Sequence, residues 1–342
     1  MGIKIRSVSI SIIIWGVMVA LFIISIINVS EMRQFSPVSV RYDEPFSGQA
    51  AYQLRRFSIG QGENTFWPTF WHEKEAKIES ALRSVNAHCI LFSGDASLVL
   101  PTDYVTGAAP GVTDGSGCAV SSAMANELWG GSDVAGQPVT IDGVERTIRG
   151  VFEHDQLIAL LSVSDEDTSQ SFTAIELSGS SSSTTRADIE NYISRAGLPA
   201  PDRILLDRPT LLASFLAFLP LIILTVYLAV CLFIRLKKRA LVIYLIVFTV
   251  FLGLAFTLPL LLDLLPTWLI PSRFSDFSFW GDMIRQLGDD FREHMWLTPR
   301  LRDVSYMILF YKQIGIALIS VALAAILCCR HRSKNIAPDS IF

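Results

Sequence analysis

The stretch from Leu211 to Leu262 constrains this chain more than any other. It holds two charge-free runs, Leu211 to Ile234 and Ala240 to Leu262, on either side of Arg235-Leu236-Lys237-Lys238-Arg239. The runs are 24 and 23 residues long. Each exceeds the roughly 20 residues that a helix rising about 1.5 Å per residue needs to cross a bilayer. Cations crowded into a turn between two spans hold it on the cytoplasmic side. The sequence therefore predicts a membrane hairpin of known direction, and that direction sets the sidedness of everything else.

Two further runs extend the pattern. After Lys4 and Arg6 no charge occurs from Ser7 through Ser30. That run is longer than the roughly 7–15 apolar residues of a cleaved secretory signal, so it is expected to be an uncleaved first span with its N-terminus inside. Tyr306 to Cys329 reads as the fourth span, interrupted only by Lys312. With both termini cytoplasmic, the inner segments carry nine basic residues and one acid, and the outer segments 18 basic and 31 acidic residues. The reverse topology would violate the positive-inside rule at every inner segment. The formal charge of −4 thus averages two opposed compartments and says nothing about partners. An apolar share of 51% agrees with a multi-pass protein of the cell (inner or plasma) membrane.

The expected division follows from these runs. Residues 1–30 form the cytoplasmic N-terminus and first span, 31–209 an extracytoplasmic domain, 210–263 spans two and three with their inner turn, 264–305 an outer aromatic-rich loop, 306–329 span four and 330–342 a cytoplasmic tail. The fold class is an α-helical membrane protein with four transmembrane helices plus an α+β extracytoplasmic domain. Within that domain, Tyr52, Leu54, Phe57 and Ile59 alternate as in strands. Trp71, Ile78, Leu82 and Val85 fall at helical spacing, with Glu73/Lys77 and Glu79/Arg83 as i,i+4 pairs. Cys89 to Phe92 and Leu98 to Leu100 read as strands, and Thr102 to Gly117 as a loop. Leu157 to Val163 and Phe172 to Leu177 read as further strands. Arg186 to Ala196 reads as a helix presenting Ile189, Tyr192 and Ile193 on one face.

The most informative segment is Cys118 to Phe152. Ser121 or Ser122 can cap a helix from Ala123 to Trp129, and Gly130-Gly131 ends it. Val139-Thr140-Ile141 and Arg146 to Phe152 flank Asp142-Gly143, a strong hairpin signal. Together with Asp133-Val134-Ala135-Gly136-Gln137-Pro138 this run resembles the extracytoplasmic core of MacB-type (and FtsX-type) ABC transporter permeases. There a strand, a short helix ending in an aromatic and two glycines, an acidic-x-x-Gly-Lys/Gln phrase and a hairpin closing on Gly-Val recur in this order. The arrangement of one span, a large outer domain and three more spans carries the resemblance over most of the chain.

That resemblance implies a permease subunit that dimerises with a same or related subunit and rides on a cytoplasmic ABC ATPase, moving or extracting an amphipathic substrate or passing force to outer partners. No Gly-x-x-x-x-Gly-Lys-Ser/Thr phosphate loop occurs, so nucleotide hydrolysis belongs to the partner, and no cofactor is expected. The ATPase-coupling turn is then Arg235, Lys237, Lys238 and Arg239. The chain departs from the family in having only five residues in that turn, where a longer helix is usual, and in its long outer loop. The short turn favours the alternative of a membrane-anchored binding or sensing protein without ATPase coupling.

Among single residues, Lys312 lies inside a span, where an ionisable group is costly and often functional. It reads either as paired with Asp263 at the outer end of span three or as reaching back to the surface along its own stem. Cys89 and Cys118 are the only outer cysteines. They can form a disulfide, in an oxidising exterior, or sit as two buried core thiols. The aromatics Trp268, Phe274, Phe277, Phe279, Trp280 and Trp296 of the outer loop read as interfacial anchors or as a rim meeting an amphipathic substrate. Enzymatic constellations are weak. His72-Glu73-Lys74-Glu75 lacks a second histidine, Asp114-Gly115-Ser116-Gly117 lacks the nucleophile-elbow pattern, and no metal set or nucleic-acid surface stands out.

Overall fold

The computed structural model describes residues 2–35, 38–61, 66–81, 83–179, 184–236, 277–295 and 299–336. The chain divides into two compact units. The helical unit takes Met1–Met32, Arg208–Arg285 and Ser305–Phe342, and the globular unit takes Arg33–Asp207 and Gln286–Val304.

The globular unit is built on one ten-stranded mixed sheet. Its strands are β1 (Val38–Ser47), β2 (Trp67–Glu79), β3 (Ser84–Ser93), β4 (Tyr104–Gly107), β5 (Gly117–Ser121), β6 (Pro138–Ile141), β7 (Val144–Phe152), β8 (Ile158–Ser162), β9 (Ser171–Ser178) and β10 (Arg203–Leu206). The spatial order is β10-β1-β9-β2-β3-β8-β5-β7-β4, with β6 beside β2 and β7. Among the described residues only β3/β8 and β5/β7 are parallel pairs. Among the described residues four helices belong wholly to this unit, α2 (Gly48–Gln61), α3 (Ala96–Val99), α4 (Ser122–Trp129) and α5 (Arg186–Arg195); α1 (Gly2–Met32) precedes it in sequence.

Successive strand residues face opposite sides of a sheet, and this parity sorts the core. On one face Cys89, Leu91, Cys118, Val120, Ala159 and Leu161 pack with Met124, Ala125 and Leu128 of α4. Further along the same face Val38, Val40, Phe70, Ile175 and Leu177 pack against Leu54 of α2 and Ile189 and Ile193 of α5. The other face carries Trp71, Ile90, Phe92, Ala119, Leu160 and Ala174 against α3. Because both faces are covered, the central strands read as near-continuous apolar runs.

The Cys118 to Phe152 segment folds as its sequence predicts. Ser121 caps α4 by accepting from the Met124 amide, and Gly130 closes it at φ 79°. The β6/β7 hairpin turns at Asp142 and Gly143, both at positive φ. Gly107 and Gly150 are register partners on β4 and β7. A Cβ on Gly107 would lie 2.1 Å from the Arg149 carbonyl oxygen, and one on Gly150 would lie 2.5 Å from that of Ala108.

Four readings are corrected. The segment around Tyr52 to Ile59 is helix α2, not strand: Ala51, Leu54 and Ser58 are its buried stripe at spacings of three and four, while Ile59 is 63% exposed. Trp71 to Val85 is the β2/β3 hairpin, not helix. Its Trp71 and Ile78 lie in cores on opposite faces, a spacing of seven that suits two helical turns as well as a strand buried on both sides. Lys77 bonds Glu79 and Lys74 bonds Asp142, in place of the expected helical pairs. Leu98 to Leu100 is the end of a single helical turn, because the Asp95 carboxylate accepts from the Ser97 amide and caps it. Thr102 to Gly117, read as a loop, contains strand β4, a four-residue strand at the end of the sheet order whose half-exposed pairing to β7 leaves too short an alternation to see in the sequence. Strands β1 and β10 had no sequence assignment.

In the helical unit α1, α6 (Arg208–Leu236) and α8 (Leu301–Ile336) are long and apolar enough to cross a membrane. Helix α7 (Phe277–Met295) precedes α8. The expected third span, Ala240 to Leu262, lies outside the described residues. Pro220 stands inside α6, where it removes one backbone donor.

Candidate functional site

Within the globular unit, the three places where the chain passes to its long apolar helices converge on β1. Phe35 and Val38 follow α1, and Leu206 precedes α6 by two residues. Val38 and Leu206 are direct register partners. The third place is Arg300–Asp303, where α8 begins, and it docks against the face of β1, β9 and β2 opposite α2 and α5.

That docking is ionic. Glu176 on β9 is fully buried. One carboxylate oxygen accepts from the Ser39 hydroxyl at 2.7 Å and from the Trp71 indole N–H at 2.9 Å. Arg302 Nη2 lies 3.1 Å from its other oxygen, at ion-pair distance but off the hydrogen-bond direction. Arg41 on β1 lies 3.5 Å from Glu176 and donates to Asp303 at 2.9 Å. Arg302 also donates to the Leu98 carbonyl at 3.2 Å. Buried charges are costly unless paired, and here opposite charges interleave so that each faces an opposite one.

The same cluster supplies the N-terminus of α8, whose first amides lack intrahelical partners. The Glu73 carboxylate accepts from the Leu301 amide at 3.0 Å, and Asp303 accepts from the Arg300 amide at 3.3 Å. Both acids also suit the positive end of the helix dipole. Burial raises the Glu73 carboxyl above its usual range, and the Leu301 amide opposes that rise. Burial, then the neighbouring Arg41, lowers the Arg300 guanidinium. Arg41 and Arg300 both lie over the Trp71 ring, at 4.5 and 5.2 Å from its centroid. Among the described residues, Arg41 Nε and Nη1 find no hydrogen-bond partner.

In the helical unit the polar centre is amide rather than ammonium. Gln313 of α8 is fully buried and donates to the Ser25 hydroxyl at 2.6 Å and to the Ala213 carbonyl of α6 at 3.3 Å. Asn28 donates to the Leu309 carbonyl at 2.9 Å and to Gln313 at 3.3 Å. One hydrogen-bonded set thereby ties α1, α6 and α8 together. Lys312, one residue before Gln313, is exposed. Its proposed partner Asp263 lies outside the described residues, as do Lys237, Lys238 and Arg239; Arg235 falls in the last turn of α6.

Cys89 and Cys118 are free and buried. They stand on β3 and β5, with β8 between them: Ala159 pairs with Cys89 and Leu161 with Cys118. Two strands apart, at about 4.8 Å per step, they exceed the Cα separation a disulfide spans. Burial pushes both thiols up to about 12.

Sequence reasoning missed Arg41, Glu176, Arg302 and the Asn28/Gln313 pair. A charge inside each of two apolar strand cores, Val38 to Tyr42 and Phe172 to Leu177, was the available signal for the first two. Asn28 was the one amide of the first apolar run.

No protein-family model matches the chain, and no curated protein sequence matches it. Among solved structures, it is similar to the periplasmic region of MacB from Actinobacillus actinomycetemcomitans, with 10% identity and a TM-score of 0.41 over 51% of this chain and 91% of that one. It is also similar to the extracellular domain of the noncanonical ABC-type transporter YknZ from Gram-positive bacteria, with 12% identity and a TM-score of 0.36 over 46% of this chain and 88% of that one.

Proposed function

We propose that this chain is a permease subunit of an ABC transporter of the MacB type. It spans the cell membrane with both termini inside, pairs with a second permease subunit, and couples ATP hydrolysis in a separate cytoplasmic ATPase to work outside. That work is export or extraction of an amphipathic substrate, or force passed to an outer partner. The observation that carries the reading is the convergence on β1 of all three described chain passages, joined by Arg41, Glu176, Arg302 and Asp303. A globular domain that only needed anchoring would require one tether. Three chain passages held at one charged base offer a change among the helices three covalent routes to the sheet. The order of one helix, the domain and then further helices supports the same reading, as does the strand, capped helix and hairpin of Cys118 to Phe152.

The test is whether an ATPase travels with the chain. Full-length tagged protein isolated from its native membrane is expected to bring down an ABC ATPase. The same preparation with Arg235, Lys237, Lys238 and Arg239 neutralised is expected to lose it. Recovery of the intact protein without any ATPase, from membranes where the complex is preserved by crosslinking, refutes the coupling and leaves the anchored binding or sensing protein, which the five-residue inner turn favours.

A further inference from the structure

The helical unit holds an apolar cavity of about 540 Å³ between α1, α6 and α8. Met18, Phe22, Leu216, Leu224 and Ile316 make much of its wall. Trp15, Val19 and Leu221 also line it and are exposed, so it opens sideways through the surface of the helices. Its hydroxyls are Ser25 and Ser320. Ser320 donates to the Ile316 carbonyl of its own helix. Ser25, only 3% exposed, is placed differently. The Ala213 carbonyl can only accept, so Gln313 Nε2, which reaches it, is a donor and gives its other hydrogen to Ser25 Oγ. The Leu309 carbonyl fixes Asn28 Nδ2 as a donor in the same way, and Asn28 donates in turn to Gln313 Oε1. This chain of bonds runs in one direction and ends on the Ser25 hydroxyl, whose own hydrogen finds no acceptor among the described residues. A buried donor without an acceptor is expensive. A water needs about two to four polar partners, and one open hydroxyl on an apolar wall is too few.

We infer that this cavity binds one acyl chain of a bilayer lipid, with the ester carbonyl accepting from the Ser25 hydroxyl and the hydrocarbon running along α1 toward Trp15. The inference rests on the membrane-spanning reading of α1, α6 and α8 and not on coupling to an ATPase. Trp15, Met18, Val19, Phe22 and Ser25 share one side of α1. Ten residues separate Trp15 from Ser25, about 15 Å of helix, a length of wall that suits an extended chain better than a compact ring. With the N-terminus inside, Ser25 is the outer end of this wall. It stands five residues before Ser30, where the charge-free run ends, or about 8 Å along the helix. That depth is near the head-group boundary, where a lipid of the outer leaflet carries its esters, and the hydrocarbon below it runs inward as the cavity does. Polarity, shape and direction thus select the same ligand.

The experiment places the full chain in nanodiscs holding equal amounts of an ester-linked phosphatidylcholine and its diether analogue, which lacks the carbonyl. Lipid retained per chain after transfer to mild detergent is counted by native mass spectrometry. One lipid per chain is expected, with the ester form favoured about fivefold, the effect of one hydrogen bond. Ser25→Ala should abolish that preference. Val19→Trp, which closes the mouth, should lose the lipid, whereas Ile23→Trp, one turn along and equally exposed but outside the cavity, should keep it. Equal retention of the two lipids by the wild type overturns the inference, as does a preference that survives Ser25→Ala, retention by Val19→Trp, or no retained lipid at all. A chain that does not enter nanodiscs overturns the spanning reading and this inference with it. Absence of an ATPase from the pull-down leaves these results standing, so the two readings fail separately.

Discussion

Glutamine in place of Glu176 isolates what the buried charges contribute. The substitution keeps the shape of the side chain but removes the one full negative charge held between Arg41 and Arg302. Its amide nitrogen must then face either the Arg302 guanidinium or the Ser39 and Trp71 donors, so a donor meets a donor in either orientation. Removing one partner of a buried ion pair costs about 3–5 kcal/mol. For a domain of this size each kcal/mol lowers Tm by about 2–4 °C, so the globular unit of Glu176→Gln should melt about 6–20 °C below the wild type. Thermal unfolding of the full-length protein in nanodiscs, followed by tryptophan emission, reads this directly, since the Trp71 indole bonds Glu176 itself. A second arm separates charge from packing. Glu176→Met with Arg302→Met removes both partners of one pair, leaves Arg41 with Asp303, and should cost less than the sum of the two single changes. A Tm change of Glu176→Gln within about 2 °C, or strictly additive losses in the double variant, refutes the argument that these charges are buried and interdependent.

Three further outcomes follow from other parts of the molecule. Asn28→Leu and Gln313→Leu should each weaken the association of α1, α6 and α8 by about 1–2 kcal/mol, measured by unfolding in mild detergent, whereas Lys312→Leu, at an exposed site, should not. Cys89 and Cys118 should resist a thiol reagent in the native protein and both react after denaturation without any reductant; a requirement for reductant would show that they are joined. Burial lowers the imidazoles of His72 and His154, so the unfolded chain binds more protons than the folded one as pH falls through about 6.5. Stability of the globular unit should therefore be full above that pH and decline below it, and replacing both histidines with glutamine should flatten that decline in a pH series of melting curves.

How far the fold could be read from residues depended on whether a signal was local. The Cys118 to Phe152 segment was legible because each feature is fixed by its own neighbours: Ser121 caps, Gly130 closes at positive φ, and Asp142-Gly143 turns the hairpin. Hydropathy found α1, α6 and α8 for the same reason. Periodicity misled where burial was two-sided. Trp71 and Ile78 point into different cores, so their spacing of seven mimicked a helix, and four apolar residues of α2 alternated by chance while its buried stripe ran through Ala51, Leu54 and Ser58.

The charge cluster was illegible for a deeper reason. Arg41 and Asp303 are 262 positions apart and Glu176 and Ser39 are 137 apart, so no window along the chain holds both members of either pair. What each residue offers alone is a polar group on the wrong face of an apolar strand, the ordinary mark of a partner supplied from elsewhere. Here the partners come from the Arg300–Asp303 segment, which precedes the long apolar part of α8. Closing contacts over such separations costs loop entropy that grows only slowly with length, but holding charged groups dry is expensive at any length. Shielding alone could have been met by leucines on β1 and β9. The charges instead fix the Arg300–Asp303 segment in one register against the sheet, because a shift by a single residue would move Arg302 and Asp303 off their partners together.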